Sequence, residues 1–144
     1  MQNDQVRDYV RQLDAVQAEI LSELEGLEQH ELKYATDHWR WNTLRRVLLR
    51  FGDHVREHTT QLVAARKDIG AAQTMPQRML AQAQASYGGL LGALVGLEDA
   101  SLDLVPEPGE WTPRQTVEHI ITIQGDYLEM IRRAREKQEP VESD

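Results

Sequence analysis

Apolar residues recur at spacings of three and four in four separate stretches of the chain, the pattern of a helix with one apolar stripe. The first stretch runs from about Asp4 to Gln29, with Val6, Tyr9, Val10, Leu13, Val16, Ile20, Leu24 and Leu27 on the stripe. Asn3 or Asp4 can cap its start. The second runs from about Thr43 to Ile69 through Leu44, Val47, Leu48, Phe51, Val55, His58 and Leu62, so a histidine occupies a stripe position. Asn42 or Thr43 suits its N-cap, and Gly70 stands where a left-handed residue ends a helix.

The third stretch opens with Thr74-Met75-Pro76-Gln77, a capping box with proline in the first turn, where a missing N–H costs nothing. Leu80, Ala83, Tyr87, Leu90, Leu91, Leu94 and Leu97 form its stripe. Gly88, Gly89, Gly92 and Gly96 weaken it by about 1 kcal/mol each relative to alanine; they either admit a close neighbour or make this the softest helix. After Pro106, Pro108 and Gly109, a second capping box, Thr112-Pro113-Arg114-Gln115, begins the fourth stretch. It continues through Val117, Ile120, Ile121, Ile123, Tyr127, Leu128 and Ile131 to about Lys137.

No stretch alternates with a period of two, so no half-buried strand is predicted. The predicted fold is all-α, an up-down four-helix bundle packed at shallow angles. Its two halves share one plan, a long helix, a loop holding tryptophan, and a second long helix. One domain is therefore expected over residues 1–144, with hairpins at about 1–70 and 74–138 and a frayed acidic tail at 139–144. Trp39 and Trp41 precede the second helix and Trp111 the fourth, and these tryptophans read as loop anchors that fix the entry of the chain.

Composition narrows the functional classes. The 144 residues are 40% hydrophobic and 28% charged, enough for one core built from aliphatic side chains. The absence of cysteine excludes disulfides, thiolate catalysis and Cys-based zinc sites, and fits a cytoplasmic protein. No run of 18 apolar residues suggests a membrane span, and Met1–Gln5 lacks the basic and apolar regions of a secretory signal. A net charge of −8 gives no incentive to approach nucleic acid, whose binding begins with phosphate neutralisation. The pairs Arg45-Arg46 and Arg132-Arg133 lie beside carboxylates and read as solvated helix faces.

The residues Pro108-Gly109-Glu110-Trp111-Thr112-Pro113-Arg114-Gln115-Thr116-Val117-Glu118-His119-Ile120 resemble the early signature of the DinB/YfiT-like superfamily. There a Trp-Ser/Thr pair opens the second helix and a histidine follows about two turns later. Thr43 to Leu49, with His54-Val55-Arg56-Glu57-His58, resembles the family's late signature, a His-x-x-x-His pair on the final helix. The order is reversed here, which a circular permutation of two helical hairpins explains. The resemblance implies a four-helix bundle from a bacterial source whose three histidines hold one divalent metal ion.

The chemistry of these residue types agrees. His54 and His58 lie four positions apart, so on a helix they project from one face about 6 Å apart along the axis, within reach of one ion at ~2.0–2.1 Å. His119 is the candidate third ligand, from another helix. Three neutral nitrogen donors suit Zn, Ni, Fe or Mn and leave positions open for substrate. Against this stands the plain reading of a metal-free bundle with packed histidines. Glu57 and Asp53 flank the pair, either orienting an imidazole or serving as solvated helix charges. Tyr127 lies two turns after His119 and either reaches the site or packs in the core. His30 and His38, at a helix end and in a polar loop, are expected to be exposed.

No phosphate-cradling loop or nucleophilic triad is present. The resemblance implies a metal-dependent enzyme that activates a low-molecular-weight thiol or water, of thiol transferase or hydrolase type, acting on a small molecule. The alternative is a non-catalytic helical dimerisation or binding module. A homodimer is expected in either case.

Overall fold

The computed structural model describes residues 3–141; Glu142, Ser143 and Asp144 of the expected frayed tail lie outside them. Among the described residues the chain is all-α, with four long helices: α1 (Asp4–Leu24), α2 (Leu44–Asp68), α3 (Met75–Leu94) and α4 (Pro113–Lys137). Short 3-10 turns at Gln29–Lys33 and Asp99–Ser101 follow α1 and α3. Among the described residues there is no strand, only an isolated bridge between Ala35 and Thr43. Among the described residues no helix is long and apolar enough to cross a membrane. The chain divides into two compact units, Met1–Gly96 and Leu97–Asp144.

In the first unit, local chemistry sets the helix ends. The Thr43 hydroxyl accepts the Arg46 N–H at 3.4 Å to start α2. Gly70, with φ +74°, ends it: the Ala71 N–H donates to the Arg66 carbonyl at 2.7 Å and the Gly70 N–H to the Lys67 carbonyl at 3.2 Å, the two bonds of a Schellman motif. Thr74 and Gln77 form the expected capping box of α3. Helix α1 stops earlier than its apolar period suggests. Past Gly26, Glu28 and Glu31 form their own capping box and start the 3-10 turn, which takes Leu27 and Gln29 out of the helix. At the end of α3, Gly96 is left-handed and its N–H donates to the Glu25 carboxylate at 2.6 Å, tying it to the end of α1.

The apolar stripes do not form the expected core, for no described side chain is buried; Leu13 on α1 is 69% exposed and Leu62 on α2 is 60% exposed. The physical reason within the first unit is that α1, α2 and α3 stand apart, and the substantial contact between elements joins α2 to the Gln29–Lys33 turn. An added Cβ at Gly88, Gly89 or Gly92 meets nothing within 4 Å.

The loop before α2 is zipped by its own side chains. Thr36 N–H donates to the Asn42 carbonyl and Leu44 N–H to that of Tyr34. His38 Nδ1 accepts the backbone N–H groups of both Arg40, at 3.1 Å, and Trp41, at 3.0 Å, so this imidazole organises the turn as an Asx side chain does elsewhere. Trp41 is half-buried, stacked on His38 and flanked by the guanidinium groups of Arg40 and Arg50 at 4.8 and 5.3 Å from its ring centroid. It anchors the loop, whereas Trp39 is 84% exposed.

In the second unit, Thr112 and Gln115 cap α4 reciprocally, with Gln115 N–H to the Thr112 hydroxyl at 3.1 Å and Thr112 N–H to the Gln115 side chain at 2.9 Å. Arg114 clamps the preceding loop. Its Nε and Nη2 donate to the two Asp103 carboxylate oxygens at 2.8 and 3.1 Å, and its N–H donates to the Leu102 carbonyl at 2.9 Å. That fork, by its hydrogen bond first and its charge second, holds the Asp103 carboxyl below its ordinary value of 3.8.

The 3-10 turns expose a repeat signal finer than the helix-loop-helix plan. Each follows a Gly-Leu-Glu triplet, at 26–28 and 96–98, an offset of 70 positions that also relates Trp41 to Trp111.

Three outcomes are expected. Gly89→Ala raises stability by about 0.5–1 kcal/mol in urea denaturation, since alanine adds helix propensity and meets no neighbour. An NMR titration places the Asp103 carboxyl below 3.8, and Arg114→Ala returns it to about that value. Because folding depresses this pKa, the clamp acts fully above the unfolded value and is lost as pH falls through the folded one. His38→Ala weakens the tryptophan near-UV circular dichroism, while His38→Asn, which keeps an acceptor at the same place, retains it.

Candidate metal centre

Helix α2 carries the His-x-x-x-His pair. One helical turn sets His54 and His58 on the same face, with ring centroids 4.5 Å apart and planes 80° to each other. Two imidazoles at right-angle positions of one ion, each with its nitrogen at ~2.1 Å, have centroids roughly 4.6 Å apart, and tetrahedral positions place them roughly 5.3 Å apart. The observed ring separation lies close to the first of these values. Both histidines are exposed.

The ring nitrogens are not equivalent. His58 Nδ1 lies 2.7 Å from Gln61 Oε1, one turn further along α2, so its other nitrogen is the one free for an ion. The two carboxylates that flank the pair are engaged elsewhere. Glu57 accepts from Arg50 at 2.9 Å, and Asp53 accepts from Arg56 at 2.5 Å. The Arg50 hydrogen bond, and then its charge, holds the Glu57 carboxyl below the usual range. Neither carboxylate bonds to an imidazole; each is paired with an arginine of the same helix. Gln61 is the residue that touches an imidazole, and no pattern in the sequence singles it out.

His54 also borders an open groove of 1330 Å³ in the first unit. Tyr9, Leu13 and Val16 from α1 form one wall, and Trp41, Arg50 and Val55 line the other side. The lining is mainly apolar, with Gln12 and Gln17 of α1 and Arg50, His54 and Arg56 of α2 as its polar groups. Such a mixture suits a small molecule that is largely apolar.

His119 lies on α4 in the second unit. It is exposed and packs edge-on against Trp111, with centroids 4.7 Å apart and planes at 64°. Trp111 thus staples the loop to the first two turns of α4 through the histidine, a contact that the eight-residue spacing alone does not reveal. Tyr127, two turns further along α4, is 54% exposed. Within neither unit, among the described residues, do three His, Asp or Glu side chains form a ready metal cluster. His30 is exposed and lies 3.1 Å from Glu28, as its place at a helix end leads one to expect.

The three histidines fall where the 70-residue repeat breaks down. The helix N-caps Thr43 and Thr112 are 69 positions apart, and counted from them His119 corresponds to Arg50, and His54 and His58 to Ile123 and Tyr127. Each ligand candidate thus belongs to one half only.

Comparison with known proteins agrees with the motif in the second half. A family model described as the DinB superfamily matches residues 82–144, the stretch that holds Trp111, Thr112 and His119. No curated protein and no solved structure matches the chain. The similarity to the DinB superfamily thus rests on residues 82–144.

Proposed function

We propose that this chain is a divalent-metal-dependent enzyme in which His54, His58 and His119 hold the ion, with Zn, Ni, Fe or Mn as the candidates. The observation that carries the proposal is the His54–His58 pair, 4.5 Å apart on one face of α2 and bordering an apolar groove. The chemistry of the donor set supports it, because three neutral imidazoles bind such ions and leave coordination positions free. When bound, the ion supplies Lewis acidity, which activates a thiol or a water molecule at neutral pH.

The protein's own side chains supply the rest. The groove beside His54 receives the apolar part of a small substrate and excludes water from it. Arg50 and Arg56 neutralise Glu57 and Asp53, so the carboxylates neither compete for the imidazoles nor repel an anionic thiolate. The reaction type that follows is transfer of a low-molecular-weight thiol, or hydrolysis. The lack of cysteine agrees with a cytoplasmic setting, and a bacterial origin goes with the family.

A second reading has its own observation. Apolar stripes exposed on every long helix, such as Leu13, Leu62 and Ile121, suit a helical module that pairs with another copy of itself and carries out no reaction. Thiol conjugation to an electrophilic test substrate, assayed with and without added metal, separates the two. Metal-dependent turnover favours the enzyme, and a dimer without turnover favours the module.

The metal proposal is tested by elemental analysis of the purified protein and by calorimetric titration with Zn²⁺ and Ni²⁺. The expected result is one ion per chain. His54→Ala, His58→Ala or His119→Ala each weakens binding at least a hundredfold with helix content unchanged. Uptake of no ion by the native protein sinks the proposal.

A further inference from the structure

A histidine ligand is useful to a metal ion only if the nitrogen facing the ion is the one without the proton. The hydrogen bond made by the other nitrogen decides which tautomer is present. Metal-binding histidines almost always donate that second N–H to an acceptor, and carboxylates are common partners. Both nearby carboxylates of α2 are held by arginines, Glu57 by Arg50 and Asp53 by Arg56. The acceptor that remains is an amide: Gln61 Oε1, 2.7 Å from His58 Nδ1.

We propose that Gln61 is a positioning residue for the metal centre: its side-chain carbonyl accepts the Nδ1–H of His58, fixes that tautomer and turns the Nε2 lone pair toward the ion. The inference rests on the metal-binding reading above and adds to it the ligating atom and the group that selects it. The helix supplies the geometry, because residues three apart lie on adjoining turns of one face. His58 sits one turn after His54 and one turn before Gln61, so ligand, ligand and orienting group run in a single file along α2. The opposite amide orientation, with the Gln61 NH₂ donating to Nδ1, leaves the proton on Nε2 and blocks coordination there. The proposal therefore commits to one of two distinguishable states.

An uncharged acceptor also has a consequence for the ion. A carboxylate partner makes an imidazole a stronger donor and adds negative charge behind it. An amide fixes direction without that charge, which leaves the ion more electrophilic toward a thiol or water. Replacing Gln61 by glutamate keeps the acceptor and adds the charge, and replacing it by alanine removes the acceptor from an exposed position where alanine sustains the helix.

The test reads tautomer and metal affinity separately. In the metal-free protein at pH 8, ¹⁵N–¹H correlation spectra of the histidine rings are expected to show His58 mainly as the Nδ1–H form. Gln61→Ala shifts it toward Nε2–H, and Gln61→Glu restores Nδ1–H. In calorimetric titrations with Ni²⁺ and Zn²⁺, Gln61→Ala weakens binding about tenfold, at the low end of the range for such partners, while Gln61→Glu binds at least as tightly as the native chain. Native protein that binds the ions while Gln61→Ala leaves both tautomer and affinity unchanged overturns this inference and leaves the metal reading standing. Native protein that takes up no ion overturns the metal reading and, with it, the role assigned to Gln61.

Discussion

An unbroken α-helix from Leu44 to Asp68 is the constraint on which the candidate centre depends. Only while its turns remain regular do His54, His58 and Gln61 lie in file on one face. The termini that guard this regularity are both strong, a threonine cap at one end and a Schellman motif with left-handed Gly70 at the other. Between them the weakest residue is Gly52, two positions before His54. The side chain nearest to it is the Arg56 guanidinium, which an added Cβ would meet at 3.7 Å. The Arg50–Glu57 and Arg56–Asp53 pairs bridge this stretch. They are exposed, so each adds little to stability and their main effect is on charge placement.

That placement gives the site its chemical character. A chain with net charge −8 offers cations many carboxylates, yet around the histidine pair the two nearest are already committed to guanidinium groups. What remains uncommitted is imidazole nitrogen, a donor that favours transition-metal ions over Ca²⁺ or Mg²⁺. Arg50 does more than neutralise. It lies over the Trp41 ring as well as bonding Glu57, so one side chain joins the loop before α2 to the carboxylate adjacent to His58.

The starts of α2, α3 and α4 were legible in the sequence because their determinants are local: Thr43, Thr74 and Thr112 are their N-caps, and two form complete capping boxes. The end of α1 was not, because the apolar period continues through Leu27 while Gly26 and the Glu28–Glu31 box have already turned the chain. Periodicity also says which face of a helix is apolar but nothing about what covers it, and the stripes stand exposed here. The His54–His58 pair could be read directly from a spacing of four. Gln61 could not, since a glutamine three positions from a histidine is an ordinary feature of any solvated helix. His38 was passed over for a related reason. Sequence suggests turn-forming roles for asparagine and aspartate, whereas an imidazole nitrogen accepting two backbone N–H groups is recognisable only by its geometry.

The repeat separates scaffold from chemistry. Positions that recur 70 residues apart, the Gly-Leu-Glu triplets and the tryptophans Trp41 and Trp111, all serve to end one helix and begin the next. The histidines do not recur: counted from the helix caps, Arg50, Ile123 and Tyr127 stand at the corresponding places. A motif needed to fold a helical hairpin must be present in both halves, because each half meets the same backbone demands. A residue needed to bind an ion is free to differ, since one ion requires one set of donors, and a duplicated set would bring six imidazoles where three suffice. The divergence of the two halves at these positions accords with the proposed metal centre, in which one ion needs a single set of donors.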